Sequence, residues 1–317
     1  MSQKVMITSR SFGSIDDTPV NILKDAGYEI ALRGRDFDQR AFNAEIADYD
    51  ALIIGAHDFP AEVLATCKKL KIICKHGAGL DNIPLEAAKA QGVMVCNVPG
   101  TNANAVADLT FGLMLCCARQ IVAANNRVHS GAWKTITGTD VYAKTLGLLG
   151  FGAIAKNVAR RATGFNMKVL AYDPFVQALP AEFSHVTLCG DMRDVLSRCD
   201  FLSLHLPLTD GTRGMVGAKE LAAMRPGACL INAARGGIVN EKALYDALVS
   251  GHLAAAAMDV SEKEPIDSAN PLLTLENVVI TPHLGMYSKE AIGAVSIICA
   301  QNAAAVLTGE ALQFRVV

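Results

Sequence analysis

The chain has 317 residues, 51% of them hydrophobic, and its 29 basic and 31 acidic side chains leave a formal net charge of −2. This length favours two domains over one, and a charge so close to zero gives no reason to expect nucleic acid or an anionic membrane as a partner. Nine cysteines without a Cys-x-x-Cys spacing indicate small core residues in a reducing compartment, and the scattered histidines predict no metal site.

The first hundred residues alternate short apolar runs with amphipathic stretches. Strands are predicted at 5–8, 28–32, 51–55, 71–74 and 93–96, with helices such as 19–26 and 84–91 between them. This alternation is typical of a parallel sheet covered by helices on both faces. The first strand begins almost at once without a secretory pattern, and apolar runs such as 113–118 are too short to cross a bilayer. We therefore expect a cytoplasmic protein.

A mostly apolar stretch follows the breaker Val98-Pro99-Gly100. It runs from Asn104 to about Val128 and predicts one long helix. A helix that is apolar around much of its circumference is normally buried. We therefore expect this helix to pack against another subunit.

The segment Thr-Leu-Gly-Leu-Leu-Gly-Phe-Gly-Ala-Ile-Ala-Lys at 145–156 predicts a phosphate cradle. A buried strand ends at Gly150 and Gly152, and a helix follows to about Thr163, so the helix N-terminus can bind a pyrophosphate. Ala155 replaces the third glycine of the usual fingerprint. The next strand, 168–172, ends at Asp173, about 20 residues on, where a carboxylate can bond a ribose hydroxyl. The pattern predicts a dinucleotide site, and Asp173 should repel a 2′-phosphate, which favours NAD over NADP.

Further strands at 201–204, 229–231, 254–258 and 278–280 complete this nucleotide-binding unit. The last helix, 288–307, and residues 311–317 are expected to return to the first domain. The predicted fold is α/β, with two doubly wound parallel-sheet domains and the ligand cleft between them. A discontinuous, flavodoxin-like substrate domain comprises 1–99 plus 287–317, and a Rossmann NAD-binding domain comprises 100–286.

Four segments follow predicted strand ends, where ligands bind in open α/β sheets. They are residues 75–82, 231–240, 258–265 and 281–285. The motifs Asn-x-Ala-Arg-Gly-Gly, Asp-Val-x-Glu-x-Glu-Pro and Thr-Pro-His-Leu-Gly occur in this order after the glycine loop. With them the chain resembles, over essentially its whole length, the D-isomer-specific 2-hydroxyacid dehydrogenase family and its phosphoglycerate-dehydrogenase-like branch. The resemblance implies an NAD-dependent oxidoreductase, usually a homodimer, with the helix near 104–128 as the dimerisation arm.

Arg235, Glu264 and His283 match the catalytic set of that family. Reduction of a 2-keto acid needs a hydride on carbon and a proton on oxygen, and a histidine can supply that proton near neutral pH. Glu264 behind His283 would favour the imidazolium, and Arg235 would bind the substrate carboxylate and polarise the keto oxygen. The alternatives are a helix-start role for Glu264 and an ordinary loop position for His283.

The resemblance also implies binding residues. Gly77-Ala78-Gly79 resembles the loop whose N–H groups hold the substrate carboxylate, with a plain turn as the alternative. Further substrate-binding candidates are Arg10, Lys75, His76 and Asn102; some of these could bind a second anionic group, or else be solvated charges. The cofactor contacts are expected at Gly150, Gly152, Ala153, Ile154, Asp173, Leu206, Pro207, Thr212, Ala233, Ala234, Asp259 and Gly285.

Two other functions remain as alternatives: a non-catalytic, NAD-sensing corepressor, and a formate- or phosphite-type dehydrogenase of the same fold. Trp133 follows the predicted dimer helix and could reach the partner's cleft or pack in the dimer interface. Gly55 stands after the third strand, where phosphoglycerate dehydrogenases usually carry an arginine. The sequence therefore leaves the 2-hydroxy acid open.

Overall fold

The computed structural model describes residues 2–317, and its chain forms two compact units. One unit runs to Asn102 and resumes at Met286–Val317, and the other is Ala103–Gly285. The boundaries differ by a few residues from the predicted 99/100 and 286/287. In chain order the strands are β1 (Gln3–Ile7), β2 (Tyr28–Leu32), β3 (Ala51–Ile54), β4 (Ile72–Lys75), β5 (Met94–Cys96), β6 (Thr145–Leu149), β7 (Lys168–Tyr172), β8 (Val186–Leu188), β9 (Phe201–Leu204), β10 (Ala228–Asn232), β11 (Leu253–Met258) and β12 (Val278–Ile280).

The α-helices lie between these strands and after the last one. They are α1 (Thr18–Asp25), α2 (Gln39–Glu45), α3 (Ala61–Leu64), α4 (Leu85–Gln91), α5 (Ala103–Arg119), α6 (Ile121–His129), α7 (Ala153–Thr163), α8 (Met192–Leu196), α9 (Ala218–Ala223), α10 (Glu241–Val249) and α11 (Lys289–Thr308).

The first unit contains a five-stranded parallel sheet in the order β2-β1-β3-β4-β5, which is the flavodoxin-like order. Side chains alternate between its two faces: Val5 and Ile7 pack in one hydrophobic cluster and Met6 in the other. Because both faces are covered, these strands are apolar throughout rather than at every second residue.

The C-terminal segment returns to the first unit. Helix α11 packs on β3 and β4, and the N–H of Val316 donates to the carbonyl oxygen of Val95 at 2.7 Å, which pairs the last residues with β5. By length and composition alone α11 could cross a membrane, contrary to our expectation from the shorter apolar runs. Half of this apolar stretch is buried inside the protein, which is what a core helix shows.

The second unit contains a seven-stranded parallel sheet in the order β12-β11-β10-β9-β6-β7-β8. The strand order reverses between β6 and β9, and this switch point is where open sheets of this kind bind ligands. The predicted α/β class with two doubly wound parallel sheets is confirmed. Strand β8 was not predicted, because Thr187 interrupts its apolar run, whereas the equally short β5 and β12 are continuously apolar.

The prediction of one long helix after residue 100 is wrong. Two helices, α5 and α6, are bent by 65° at a break. Gln120 at the break has φ = +53°, a left-handed conformation that interrupts the helix. The carbonyl oxygen of Ala118 accepts instead from the N–H of Thr139 at 2.7 Å, so a later segment satisfies the end of α5.

Candidate active site

The glycine turn after β6 has the geometry of a phosphate cradle. Gly150 has φ = +87°, and a Cβ there would overlap the carbonyl oxygen of His205, so only glycine fits. A Cβ on Gly152 would meet nothing within 4 Å, which leaves the approach to α7 open. Ala153 and Ile154 are the first residues of α7, whose N–H groups have no partner within the helix and attract an anion. These residues fit a dinucleotide pyrophosphate.

Asp173 is fixed beside this turn. Its two carboxylate oxygens accept hydrogen bonds from the N–H groups of Phe151 at 2.8 Å and Phe175 at 2.9 Å. Each oxygen retains a lone pair after accepting one bond. The carboxylate is therefore held at the end of β7 and can still accept a bond from a ribose hydroxyl.

The segment after β9 is closed on itself. The hydroxyl of Thr212 donates to the carbonyl oxygen of Pro207 at 2.6 Å and accepts from the N–H of Thr209 at 2.8 Å. Thr212 thus holds the turn that begins at Leu206 and Pro207. Its hydroxyl stabilises the shape of this cofactor-contact candidate.

The turn after β10 depends on Asn232, a residue that the sequence analysis did not single out. This buried amide accepts from the N–H of Ala234 at 3.1 Å and donates to the carbonyl oxygen of Arg235 at 3.0 Å. Ala233 and Ala234 are buried beside it. The first position of the Asn-x-Ala-Arg motif was the signal, since an Asn that bonds neighbouring backbone groups shapes a turn.

His283 and Glu264 form the central pair of the site. The Nδ1 atom of His283 lies 2.8 Å from Oε2 of Glu264, and Oε1 of Glu264 accepts from the N–H of Ser261 at 3.2 Å. Partial burial alone would raise the pKa of the Glu264 carboxyl. The bonds and charge of His283, the Ser261 N–H and the charge of Arg235 together outweigh burial and lower this pKa. Because Nδ1 is engaged, Nε2 is the nitrogen available for proton transfer.

Asp259 positions the loop that carries His283. Its buried carboxylate accepts from the hydroxyl of Thr281 at 2.6 Å and from the N–H groups of Leu284 at 2.7 Å and Gly285 at 2.8 Å. His283 has φ = +55°, which is strained for this residue type. Both oxygens of Asp259 bond to the 281–285 loop, and its place near the nicotinamide stays a prediction.

A side chain at position 285 would fit only tightly within the second unit. A Cβ there would lie 3.3 Å from Val106 and 3.4 Å from the carboxylate of Asp259. The loop therefore approaches α5 closely, as the motif Thr-Pro-His-Leu-Gly allows.

Two substrate-binding candidates, His76 and Lys75, form hydrogen bonds within the first unit. Buried His76 has Nδ1 at 3.0 Å from the hydroxyl oxygen of Ser9 and Nε2 at 2.8 Å from that of Ser296. Burial, and to a lesser extent the charge of Lys75, lower the pKa of His76 to about 4. With both nitrogens bonded, His76 joins the end of β4 to the segment after β1 and to α11, and its substrate-binding role stays a prediction. The ammonium of Lys75 donates to the carbonyl oxygen of Gly55 at 2.6 Å and to Oδ1 of Asn82 at 2.7 Å.

The Gly77–Gly79 loop is anchored through its carbonyl groups. The N–H of Val98 donates to the oxygen of Gly77 at 2.9 Å, and the side chain of Asn97 donates to that of Ala78 at 2.7 Å. Gly77 has φ = +142°, which disfavours a side chain. Arg10 is exposed and Asn102, the last residue before the second unit, is half-buried. The substrate-binding role of these residues stays a prediction.

Comparisons with known proteins are consistent with this geometry. A family model described as D-isomer specific 2-hydroxyacid dehydrogenase, NAD binding domain, matches residues 111–285. The chain is 39% identical over 310 residues to a D-3-phosphoglycerate dehydrogenase of Methanocaldococcus jannaschii, covering 97% of this chain and 58% of that protein. It is 43% identical over 253 residues to a hydroxypyruvate reductase of Thermotoga maritima, covering 78% and 81%. The solved structure of a Thermus thermophilus protein matches with a TM-score of 0.92 at 33% identity, covering 99% of this chain and 100% of that one.

Proposed function

Because the chain belongs to the D-isomer specific 2-hydroxyacid dehydrogenase family, as its motifs predicted, we propose that it is an NAD-dependent oxidoreductase acting on a small 2-hydroxy or 2-keto acid. The observation that carries this proposal is the His283–Glu264 pair, at 2.8 Å, in the unit that also carries the phosphate cradle. A histidine oriented by a carboxylate is the arrangement that proton transfer to a carbonyl oxygen requires.

In the reducing direction His283 acts as the acid. NADH held at the glycine turn and Asp173 would supply the hydride for the carbonyl carbon. Nε2 of His283 gives a proton to the oxygen, so that the keto acid becomes a hydroxy acid. Glu264 stabilises the charged ring before transfer and fixes its orientation through Nδ1. In the oxidising direction neutral His283 accepts the hydroxyl proton instead.

Arg235 has the complementary role. A guanidinium presents paired donors that match a carboxylate. The turn that carries it is shaped by the buried amide of Asn232. We assign Arg235 to binding the substrate carboxylate and polarising the carbonyl group.

Asp173 sets the cofactor preference. A fixed carboxylate at the ribose position accepts a bond from a free 2′-hydroxyl and repels a 2′-phosphate. We expect a higher kcat/KM with NADH than with NADPH. Equal or better use of NADPH would refute this role of Asp173.

The assembly that fits the surface is a homodimer. Large apolar side chains are exposed between residues 121 and 142, where Trp133 is 91% and Tyr142 61% exposed and Ile121 and Val128 are about half exposed. Several exposed large apolar side chains in one segment are typical of an interface. Light scattering after gel filtration should give twice the chain mass, and Ile121→Glu with Val128→Glu should reduce it. Whether Trp133 packs there or reaches the partner's site is decided by the KM of Trp133→Ala.

The direct test is an NADH-oxidation screen over glyoxylate, hydroxypyruvate, phosphohydroxypyruvate, pyruvate, sulfopyruvate and larger 2-keto acids, with NAD reduction by formate and phosphite in parallel. His283→Ala should abolish turnover but retain NADH binding. Turnover of a 2-keto acid, lost in His283→Ala, is the expected result. If the protein binds NADH but turns over none of the keto acids, the proposal is refuted and a non-catalytic NAD-sensing role is left.

A further inference from the structure

Helix α11 runs along β4, and its first turns lie near the loop that follows this strand. The Sγ atom of Cys299 donates to the carbonyl oxygen of Lys75 at 3.4 Å. The hydroxyl oxygen of Ser296, about one turn earlier in the helix, lies 2.8 Å from Nε2 of His76. Later residues of the strand end are therefore met by earlier residues of the helix. The next residue after His76 is Gly77, the first of the Gly77–Gly79 loop.

The side chain of Met286, which precedes α11, lies beside this loop. A Cβ on Gly77 would have the Met286 sulfur at 3.9 Å and Cε of Lys75 at 4.0 Å as its nearest neighbours beyond the adjacent residues. The carbonyl oxygen of Met286 accepts from the N–H of Ser288 at 2.8 Å, and Ser288 is the N-cap of α11, so the backbone of Met286 is anchored. The thioether and the lysine stem are apolar walls beside Gly77.

The Gly77–Gly79 loop directs two N–H groups away from β5. The carbonyl oxygens of Gly77 and Ala78 accept from the N–H of Val98 and the side chain of Asn97. In a trans peptide the N–H points away from the carbonyl of the same unit, so the N–H groups of Ala78 and Gly79 face away from these partners. Neither group donates to an acceptor within residues 2–317, and both residues are half-buried. Adjacent free N–H groups can bind one carboxylate.

We propose that the thioether of Met286 limits the size of the substrate. The inference rests on the proposed function, in which the substrate is a 2-keto acid. When its carboxylate binds the N–H groups of Ala78 and Gly79, the substituent on the keto carbon lies beside Gly77 and Met286. Contact distances of 3.9 and 4.0 Å leave room for a methyl-sized group, and a longer substituent would have to displace the thioether. The site therefore takes two- and three-carbon 2-keto acids and excludes longer or phosphorylated ones.

The test measures how strongly one additional methylene is rejected. In wild type, kcat/KM for the best of glyoxylate, pyruvate and hydroxypyruvate should exceed that for 2-ketobutyrate at least about tenfold, as expected for one methylene in an apolar pocket. Met286→Ala removes the thioether and should bring this ratio to within about twofold of one. Met286→Leu keeps most of the volume and should keep the wild-type ratio.

Met94→Ala is the matched control. Met94 is half-buried and packs on the same hydrophobic cluster as Met286. It pairs with Ile72, the first residue of β4, and so lies at the other end of the sheet from the Gly77–Gly79 loop. Met94→Ala should lower stability in urea unfolding as Met286→Ala does, but leave the substrate ratio unchanged. An equal change of the ratio in both variants would indicate general loosening and overturn the proposal.

A measurement that retains the Met286 side chain keeps the test decisive if Met286→Ala does not fold. Carbon-13 spectra of protein labelled at the methionine methyl groups should show the Met286 resonance, identified by its loss in Met286→Leu. This resonance should shift when oxamate, a mimic of pyruvate, saturates the protein in the presence of NADH. An unchanged resonance would refute the contact.

The outcomes separate this inference from the proposed function. Wild type that binds NADH but reduces none of the acids refutes both. Wild type that reduces 2-ketobutyrate or phosphohydroxypyruvate as efficiently as the best small acid refutes only the role of Met286. An unchanged substrate ratio in folded Met286→Ala does the same.

Discussion

Replacing Asp259 by asparagine removes the charge that holds the His283 loop. The carboxylate accepts three bonds, from the Thr281 hydroxyl and the N–H groups of Leu284 and Gly285, and is 1% exposed. Asparagine has nearly the same shape but only one acceptor oxygen. With that oxygen towards Thr281 and Leu284, its NH₂ group faces the Gly285 N–H.

The cost follows from these contacts. One buried donor left unpaired costs about 1–3 kcal/mol, and each of the two remaining bonds loses roughly 1 kcal/mol when its acceptor becomes neutral. Relief from burying a charge offsets part of this loss. We therefore expect Asp259→Asn to lower the free energy of unfolding by about 3 kcal/mol. His283 is strained at φ = +55°, so the loop relaxes once these bonds weaken, and kcat should fall by about 100-fold.

Urea unfolding and steady-state kinetics measure the two effects. Asp246→Asn is the matched control, because Asp246 forms an exposed ion pair with Lys242 at 2.6 Å, and its loss should cost no more than about 0.5 kcal/mol and leave kcat unchanged. Asp259→Asn with wild-type stability and kcat within twofold of wild type would show that the carboxylate does not hold the loop.

Three further predictions concern pH and backbone geometry. The folded pKa of His76 is about 4, below the ordinary histidine value of about 6.5, so stability is lost as pH falls from about 6.5 towards 4. His76→Gln should reduce the slope of the unfolding free energy against pH by up to about 1.4 kcal/mol per pH unit. An unchanged slope would contradict the buried neutral ring. The pKa of Glu264 is lowered, so its contribution is fully present above the ordinary glutamate pKa of about 4.3 and is lost as pH falls through the folded value. The stability gap between wild type and Glu264→Gln should therefore narrow between pH 7 and about pH 3 in urea melts, and a constant gap would contradict the ion pair. Gly150→Ala should abolish NADH binding because its Cβ overlaps the His205 carbonyl, whereas Gly251→Ala, at φ = +73° with nothing within 4 Å, should lose only about 1 kcal/mol of stability; NADH binding by Gly150→Ala at wild-type affinity would refute the cradle.

Local patterns predicted much of this molecule. The strand, glycine turn, helix and acid of residues 145–173 are neighbours in the chain, so their spacing alone predicts the cradle and Asp173 beside it. The parallel sheets were also predictable, because each strand–helix–strand unit is encoded by a short stretch of sequence.

Partners distant in the chain depended on tertiary packing. The second ring contact of His76 is to Ser296, 220 residues later, and no local pattern around Gly77 indicates that partner. The break at Gln120 depends on Thr139, which bonds the end of α5. The periodicity of apolar residues indicates which face of a helix or strand is buried, but it does not indicate which distant residue contacts that face.

The sequence by itself determined the family, the α/β class and the NAD cofactor, because glycine spacing and apolar periodicity act over short distances. Only the tertiary structure decided that Asp259 bonds the His283 loop, that His76 is a neutral link between elements, and that Nδ1 of His205 has no hydrogen-bond partner among residues 2–317. The physical reason is that a buried polar group needs a specific bond, and the fold alone brings the two bonding atoms together.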